Sequence, residues 1–163
     1  MKKIVVLISG SGSNLEAIIN ACESKKIYGQ VIYVISNNPD AYGLERAKRH
    51  NINTKIIHNK LFLNKDDFDN SLQNFLEGLS PDLIILAGFM RILGSAIIDK
   101  FSTKMINLHP SLLPQYPGLN THQKVLSNND NNHGVSIHYV SAELDGGPLI
   151  AQGIIKVKNN EDE

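Results

Sequence analysis

The chain has 163 residues, 42% hydrophobic and 20% charged, the proportions of a soluble globular protein long enough to bury one core. Sixteen basic residues balance sixteen acidic ones and no long basic tract occurs, which argues against broad nucleic-acid binding. The single cysteine, Cys22, excludes an internal disulfide and a Cys-rich metal site, and the apolar run after Lys2 and Lys3 is too short for a signal peptide or a membrane span, so a cytoplasmic protein is expected.

Residues 4–8 form a continuous apolar run rich in β-branched residues, followed at once by Ser9-Gly10-Ser11-Gly12, which predicts a strand buried on both faces. Leu15, Ile18, Ile19 and Cys22 then recur at helical spacing. A second strand is predicted over residues 31–35, a helix over 44–50 and a short third strand over 53–57. Phe68, Leu72, Phe75, Leu76 and Leu79 mark the apolar face of another helix. A fourth strand is predicted over 83–87, a short helix over 95–100 and a fifth strand over 105–108. This alternation predicts an α/β fold, Rossmann-like, with a mostly parallel sheet and helices on both faces. After His109 the pattern changes. Residues 110–120 hold Pro110, Pro114, Pro117 and Gly118, so they form a shaped loop. Residues 135–140 and 150–157 read as two further strands, expected to pair antiparallel at the later edge of the sheet.

The loop from Ser9 to Asn14 lies between the first strand and the first helix. Glycines there let backbone approach a ligand, and a helix N-terminus presents unbonded N–H groups and a positive dipole end, which suits a phosphate. An ordinary strand-to-helix turn capped by Ser13 or Asn14 explains the same residues equally well. A dinucleotide fingerprint is disfavoured: Leu15 replaces the third glycine, and no acid ends the second strand at Ile35-Ser36-Asn37. The Gly-Lys-Ser/Thr ending of an ATP-binding loop is also missing.

Asn107 and His109 are two residues apart at the carboxyl end of the fifth strand. Extended backbone points both side chains the same way, where an amide and an imidazole can polarise one carbonyl oxygen. Asp145 stands in the glycine-rich turn Leu144-Asp145-Gly146-Gly147-Pro148, from which a carboxylate can orient an imidazole. Backbone capping and an Asp-Gly turn are the alternatives. His50, His58, His122, His133 and His138 carry less weight, and their spacing predicts no metal site.

Four segments stand together in order along the chain: IVVLISGSGSN from Ile4, PDLIILAGFMRIL from Pro81, NLHPSLLPQYPG from Asn107 and ELDGGP from Glu143. Over essentially its whole length the chain resembles the glycinamide ribonucleotide formyltransferases of purine synthesis. The resemblance implies 10-formyltetrahydrofolate as co-substrate, no metal, small-molecule partners and a monomer or homodimer. It implies that Ser11, Gly12, Ser13 and Asn14 hold the substrate phosphate, and that Lys65 stands where the family often has an arginine near it. It places Pro110 and Gly118 beside the ribonucleotide. Phe89, Met90, Arg91, Ile92 and Leu93, with Val140, Ser141, Ala142 and Glu143, surround the folate pterin. Asn107, His109 and Asp145 match the catalytic trio, and Leu113-Pro114 matches a cis peptide bond. Family members continue past the point where this chain stops. The resemblance therefore implies a single, C-terminally short domain over residues 1–163, with residues 159–163 reading as the start of a helix.

A deformylase, with water in place of the amine, is the first competing reading. A folate- or nucleotide-binding module without catalysis is the second, and a nicotinamide-dependent oxidoreductase the third. A folate analogue is expected to protect residues 86–93 from hydrogen exchange; protection confined to the glycine loop would move the folate pocket elsewhere.

Overall fold

A computed structural model describes residues 1–158, and the expected helix start at 159–163 lies outside the described residues. The chain forms two compact units, one of Met1–Met105 and one from Ile106 onward.

In the first unit, β1 (Lys2–Ile8) lies between β2 (Gly29–Ser36) and β4 (Leu83–Leu86), parallel to both, and β3 (Asn53–Ile56) pairs parallel with β2. A central parallel strand has neighbours on both edges and cover on both faces, so it tolerates only apolar side chains. Val5, Val6, Leu7 and Ile8 accordingly have no exposed surface. Three helices supply apolar stripes. α1 (Ser13–Glu23) buries Leu15, Ile18 and Ile19, and α3 (Lys65–Leu79) buries Phe68, Leu72 and Leu76. The short α4 (Ser95–Lys100) buries Ile97 and Ile98. Each such side chain contributes about 1.5–3 kcal/mol on leaving water. α3 starts where Asn64 accepts a hydrogen bond from the Asp67 N–H at 2.9 Å. α2 (Gly43–Arg49) and a 3-10 turn (Asn59–Leu61) complete the unit.

In the second unit, β6 (Asn132–Tyr139) pairs antiparallel with β5 (Met105–His109) and with β7 (Leu149–Lys156). The parallel strands early in the chain and the antiparallel ones late in it are those expected for the α/β, Rossmann-like class. α5 (Thr121–Ser127) is an element that the pattern did not predict; it buries Val125 and Thr121. The Leu113-Pro114 bond is cis, as the resemblance implied. Among the described residues no helix is long and apolar enough to cross a membrane.

One polar cluster pins α2 to α1. His50, at the end of α2, bonds Glu23 at 2.8 Å and Glu16 at 3.1 Å, and Glu16 also accepts from Arg46 at 3.0 Å. Glu16 first, then Glu23, holds the His50 imidazole above its usual pKa of 6.5. His50 and Arg46 hold the Glu16 carboxyl below its usual range. A histidine raised in this way stabilises the fold fully below its ordinary pKa and loses that contribution as pH climbs through the raised value. His50→Gln is therefore expected to lower stability at pH 6, by at most about 1 kcal/mol after solvent screening, and to matter less at pH 9. Thermal melts at the two pH values check this; an equal loss at both would refute it.

Candidate active site

In the first unit, the glycine loop leaves β1 and enters α1. Gly12 occupies the N-cap of α1 in a left-handed conformation (φ +73°), and neither Ser13 nor Asn14 caps the helix with its side chain. Among the described residues, the N–H groups of Ser11, Gly12, Ser13 and Asn14 meet no protein acceptor. Four successive carbonyls face away and are all engaged. The Ser9 oxygen accepts from the Asn38 amide at 3.2 Å and the Gly10 oxygen from the Gly43 N–H at 3.0 Å. The Ser11 oxygen accepts from Arg46 Nε at 2.9 Å and the Gly12 oxygen from the Glu16 N–H at 3.0 Å. Unbonded donors at a helix start, with their carbonyls turned outward, form an anion-binding concavity. Lys65 lies in the first turn of α3, where its ammonium donates to Asp69 at 2.7 Å; the same carboxylate oxygen accepts the Gly94 N–H at 2.8 Å.

The segment after β4 begins at Gly88 (φ +73°), whose carbonyl accepts from the Ser9 N–H at 3.1 Å. The Met90 N–H donates to the Ser9 hydroxyl at 2.7 Å. Leu93 is buried, whereas Met90 and Ile92 are each 65% exposed, so the segment does more than pack the core. Phe89 is half-buried. Arg91 stacks over the Phe68 ring at 5.8 Å, and among the described residues its buried Nε has no partner. An apolar surface beside exposed backbone suits a flat heteroaromatic ring.

In the second unit, Asn107, His109 and Asp145 come together. Asp145 sits in the turn between β6 and β7, its side chain only 7% exposed. One carboxylate oxygen accepts the Gly118 N–H at 2.8 Å and lies 3.4 Å from His109 Nδ1. The other accepts from Asn107 Nδ2 at 3.3 Å and lies 3.7 Å from His138 Nε2. His109 Nε2 faces the Tyr116 carbonyl at 2.9 Å. Both ring nitrogens of His109 thus face oxygen acceptors, an arrangement that an imidazolium satisfies on both sides. Asn107 Nδ2 also lies 3.2 Å from His138 Nε2, while His138 Nδ1 faces the Tyr139 carbonyl at 2.9 Å. A carbonyl can only accept, so Nδ1 carries the proton and Nε2 of a neutral ring accepts from Asn107.

Gly118 and Pro110 belong to the loop after β5, where Gly118 (φ +80°) reaches Asp145 and Pro110 is exposed. Val140, Ser141, Ala142 and Glu143 form the segment from β6 to Asp145, with the Ser141 hydroxyl donating to the Glu143 carbonyl at 3.1 Å. His138 is the residue that the sequence reading undervalued. It lies directly across from Asn107 in the β5–β6 pairing and is 2% exposed. Among the described residues, no group of three or more His, Cys, Asp or Glu side chains is arranged to hold a metal ion.

The chain is similar to known formyltransferases. The formyl transferase family matches residues 2–163. The phosphoribosylglycinamide formyltransferase of Escherichia coli is 48% identical over 160 residues, 98% of this chain and 76% of that protein. That of Haemophilus influenzae is 46% identical, over 96% of this chain and 74% of its own length. The solved structure of the Coxiella burnetii phosphoribosylglycinamide formyltransferase, in complex with CHES, superposes with a TM-score of 0.93 at 48% identity. It covers 99% of this chain and 75% of that one. With identity at this level along nearly its whole length, the chain belongs to the phosphoribosylglycinamide formyltransferase family.

Proposed function

We propose that this chain, acting as one formyltransferase domain over residues 1–163, transfers the formyl group of 10-formyltetrahydrofolate to the amine of glycinamide ribonucleotide in de novo purine synthesis. Its partners are these two small molecules, and its place of action is the cytoplasm. The carrying observation is the Asp145 carboxylate, buried within reach of Asn107 and His109 together.

In this reading the substrate amine attacks the formyl carbon, forming a C–N bond and a tetrahedral oxyanion. Asn107 donates to that oxygen one of the amide hydrogens now shared between Asp145 and His138. His109 turns its Nε2–H from the Tyr116 carbonyl to the same charge, and Asp145 stabilises the imidazolium. Collapse breaks the bond to folate N10. The amine loses one proton and N10 gains one, relayed through water beside Asp145. The unbonded N–H groups of Ser11, Gly12, Ser13 and Asn14 hold the substrate phosphate. Lys65 adds charge there once it releases Asp69. Phe89 to Leu93 and Val140 to Glu143 receive the pterin, and Pro110 and Gly118 flank the ribonucleotide.

Loss of one oxyanion donor typically costs a factor of about 10²–10³ in kcat. Asn107→Ala, His109→Ala and Asp145→Asn are therefore expected to depress kcat by about that factor while folate binding survives. Near-normal kcat in the His109 and Asp145 variants would sink the mechanism. Formate release without formyl transfer would establish the deformylase reading instead.

A side chain at Gly12 would place its Cβ 2.6 Å from the Gly43 Cα, in a left-handed conformation that β-branched residues avoid. Gly12→Val is expected to raise KM for glycinamide ribonucleotide far more than KM for the folate. Equal effects on both constants would remove the phosphate from this loop.

A further inference from the structure

We infer that Arg46, on α2, is a positioning residue for the phosphate-binding loop, fixing the peptide that follows Ser11 so that its N–H faces the substrate phosphate. The inference rests on the reading of Ser11 to Asn14 as the phosphate site.

The argument begins with the peptide plane. A peptide group's N–H and C=O point in opposite directions, so an N–H can face an anion only if its carbonyl partner faces away. A carbonyl aimed at the anion would repel it. In the loop, the peptide joining Ser11 to Gly12 is the one whose carbonyl is held by a side chain of α2. The Gly10 carbonyl is fixed by the Gly43 backbone and the Gly12 carbonyl by the first turn of α1. The Ser11 carbonyl depends on Arg46 Nε at 2.9 Å. Without that donor, this peptide is free to flip beside a left-handed glycine, the residue type that opposes flipping least.

Arg46 is itself held on several sides. Its Nη1 bonds Glu16 at 3.0 Å, its guanidinium lies 5.0 Å from the Tyr42 ring centroid, and its Cδ lies within 3.5 Å of where a Gly12 Cβ would stand. A planar guanidinium reaches the Ser11 carbonyl and the Glu16 carboxylate at once while stacking on Tyr42. A lysine ammonium, a single point of charge on a flexible stem, does not reproduce this geometry. Glu16 lies in the first turn of the helix whose N-terminus frames the phosphate. There its uncompensated negative charge would weaken anion binding, and Arg46 offsets it.

The test is steady-state kinetics of the full chain with glycinamide ribonucleotide and with its dephosphorylated ribonucleoside. Arg46→Ala is expected to raise KM for the ribonucleotide about tenfold. The folate KM, and kcat/KM for the ribonucleoside, are expected to stay unchanged. A merely structural role would lower both substrates together, and that result would overturn the inference. So would an unchanged ribonucleotide KM in Arg46→Ala alongside a raised one in Gly12→Val. If Gly12→Val affects ribonucleotide and folate alike, the phosphate reading itself falls, and this inference with it. Arg46→Lys is expected to recover only part of the loss. Should Arg46→Ala fail to fold, Arg46→Met decides. It keeps an apolar stem beside Gly12 and Tyr42 but has no donor for the Ser11 carbonyl, and the same ribonucleotide-selective rise in KM is expected. A folded Arg46→Met protein with no selective change would overturn the proposal.

Discussion

The organisation of the second unit depends on one buried carboxylate. Withdrawing a carboxylate from water costs several kcal/mol unless donors replace the lost hydration. Around Asp145 three groups replace it. Gly118 offers a backbone N–H from the loop after β5, Asn107 an amide from β5, and His109 its Nδ1 from the same strand. None of these groups is adjacent to Asp145 in sequence, so satisfying the charge fixes the loop, β5 and the turn against one another. The turn is built to bring the carboxylate inward. Asp145 itself adopts a positive φ of 52°, and a Cβ at Gly147 would collide with the Tyr139 carbonyl. A wider turn, or a bulkier one, would leave the carboxylate in water and His109 without its acceptor.

The first unit is arranged for the opposite electrostatic task, with backbone N–H groups as the donors. In the proposed function the group to be received is an anion, and what must be removed from its surroundings is the negative end of the peptide dipole. Four carbonyls in succession, from Ser9 to Gly12, are tied down on the side of the segment that runs from β2 into α2 or by the first turn of α1. Close packing makes this possible. Gly12 and Gly43 meet with no room for a side chain on either, so the loop and the start of α2 touch backbone to backbone. The two glycines serve fit as well as flexibility.

Much of this was legible in the sequence where the signal is local. The apolar run of residues 4–8 reads as a central strand because burial on both faces leaves no alternation to misjudge. The two-residue spacing of Asn107 and His109 reads as a shared face because extended backbone has period two. His138 escaped notice because β6 inverts the usual rule. Ser136 and His138 point inward and are buried, while Val135 and Tyr139 are 36% and 38% exposed. Within β6, no apolar residue beside His138 on its own face marks that face as buried. α5 left almost no periodic trace, since it buries only Thr121 and Val125. The Arg46–Ser11 bond spans 35 residues, and nothing near either residue announces it. The resemblance implies Lys65 as a phosphate ligand. Its nearest opportunity is Asp69, four residues along the same helix, and in this structure local helical geometry claims the ammonium.

The surroundings of the trio also favour direct transfer of the formyl group over a covalent enzyme intermediate. An activated hydroxyl needs a base to take its proton, and the nearby hydroxyls are turned to carbonyls instead. Ser111 donates to the carbonyls of Gln115 and Tyr116, and Ser136 to that of Ser111. His109 faces a carbonyl and a carboxylate, neither of which it could activate as a nucleophile by removing a proton. The one thiol, Cys22, lies on α1 in the first unit, and burial pushes it above its ordinary pKa, away from the reactive thiolate. An amine substrate brings its own nucleophile. What it requires of the protein is stabilisation of an oxyanion and a route for one proton. In the proposed mechanism Asn107 and His109 offer donors for the first, and Asp145 backs the His109 imidazole for the second.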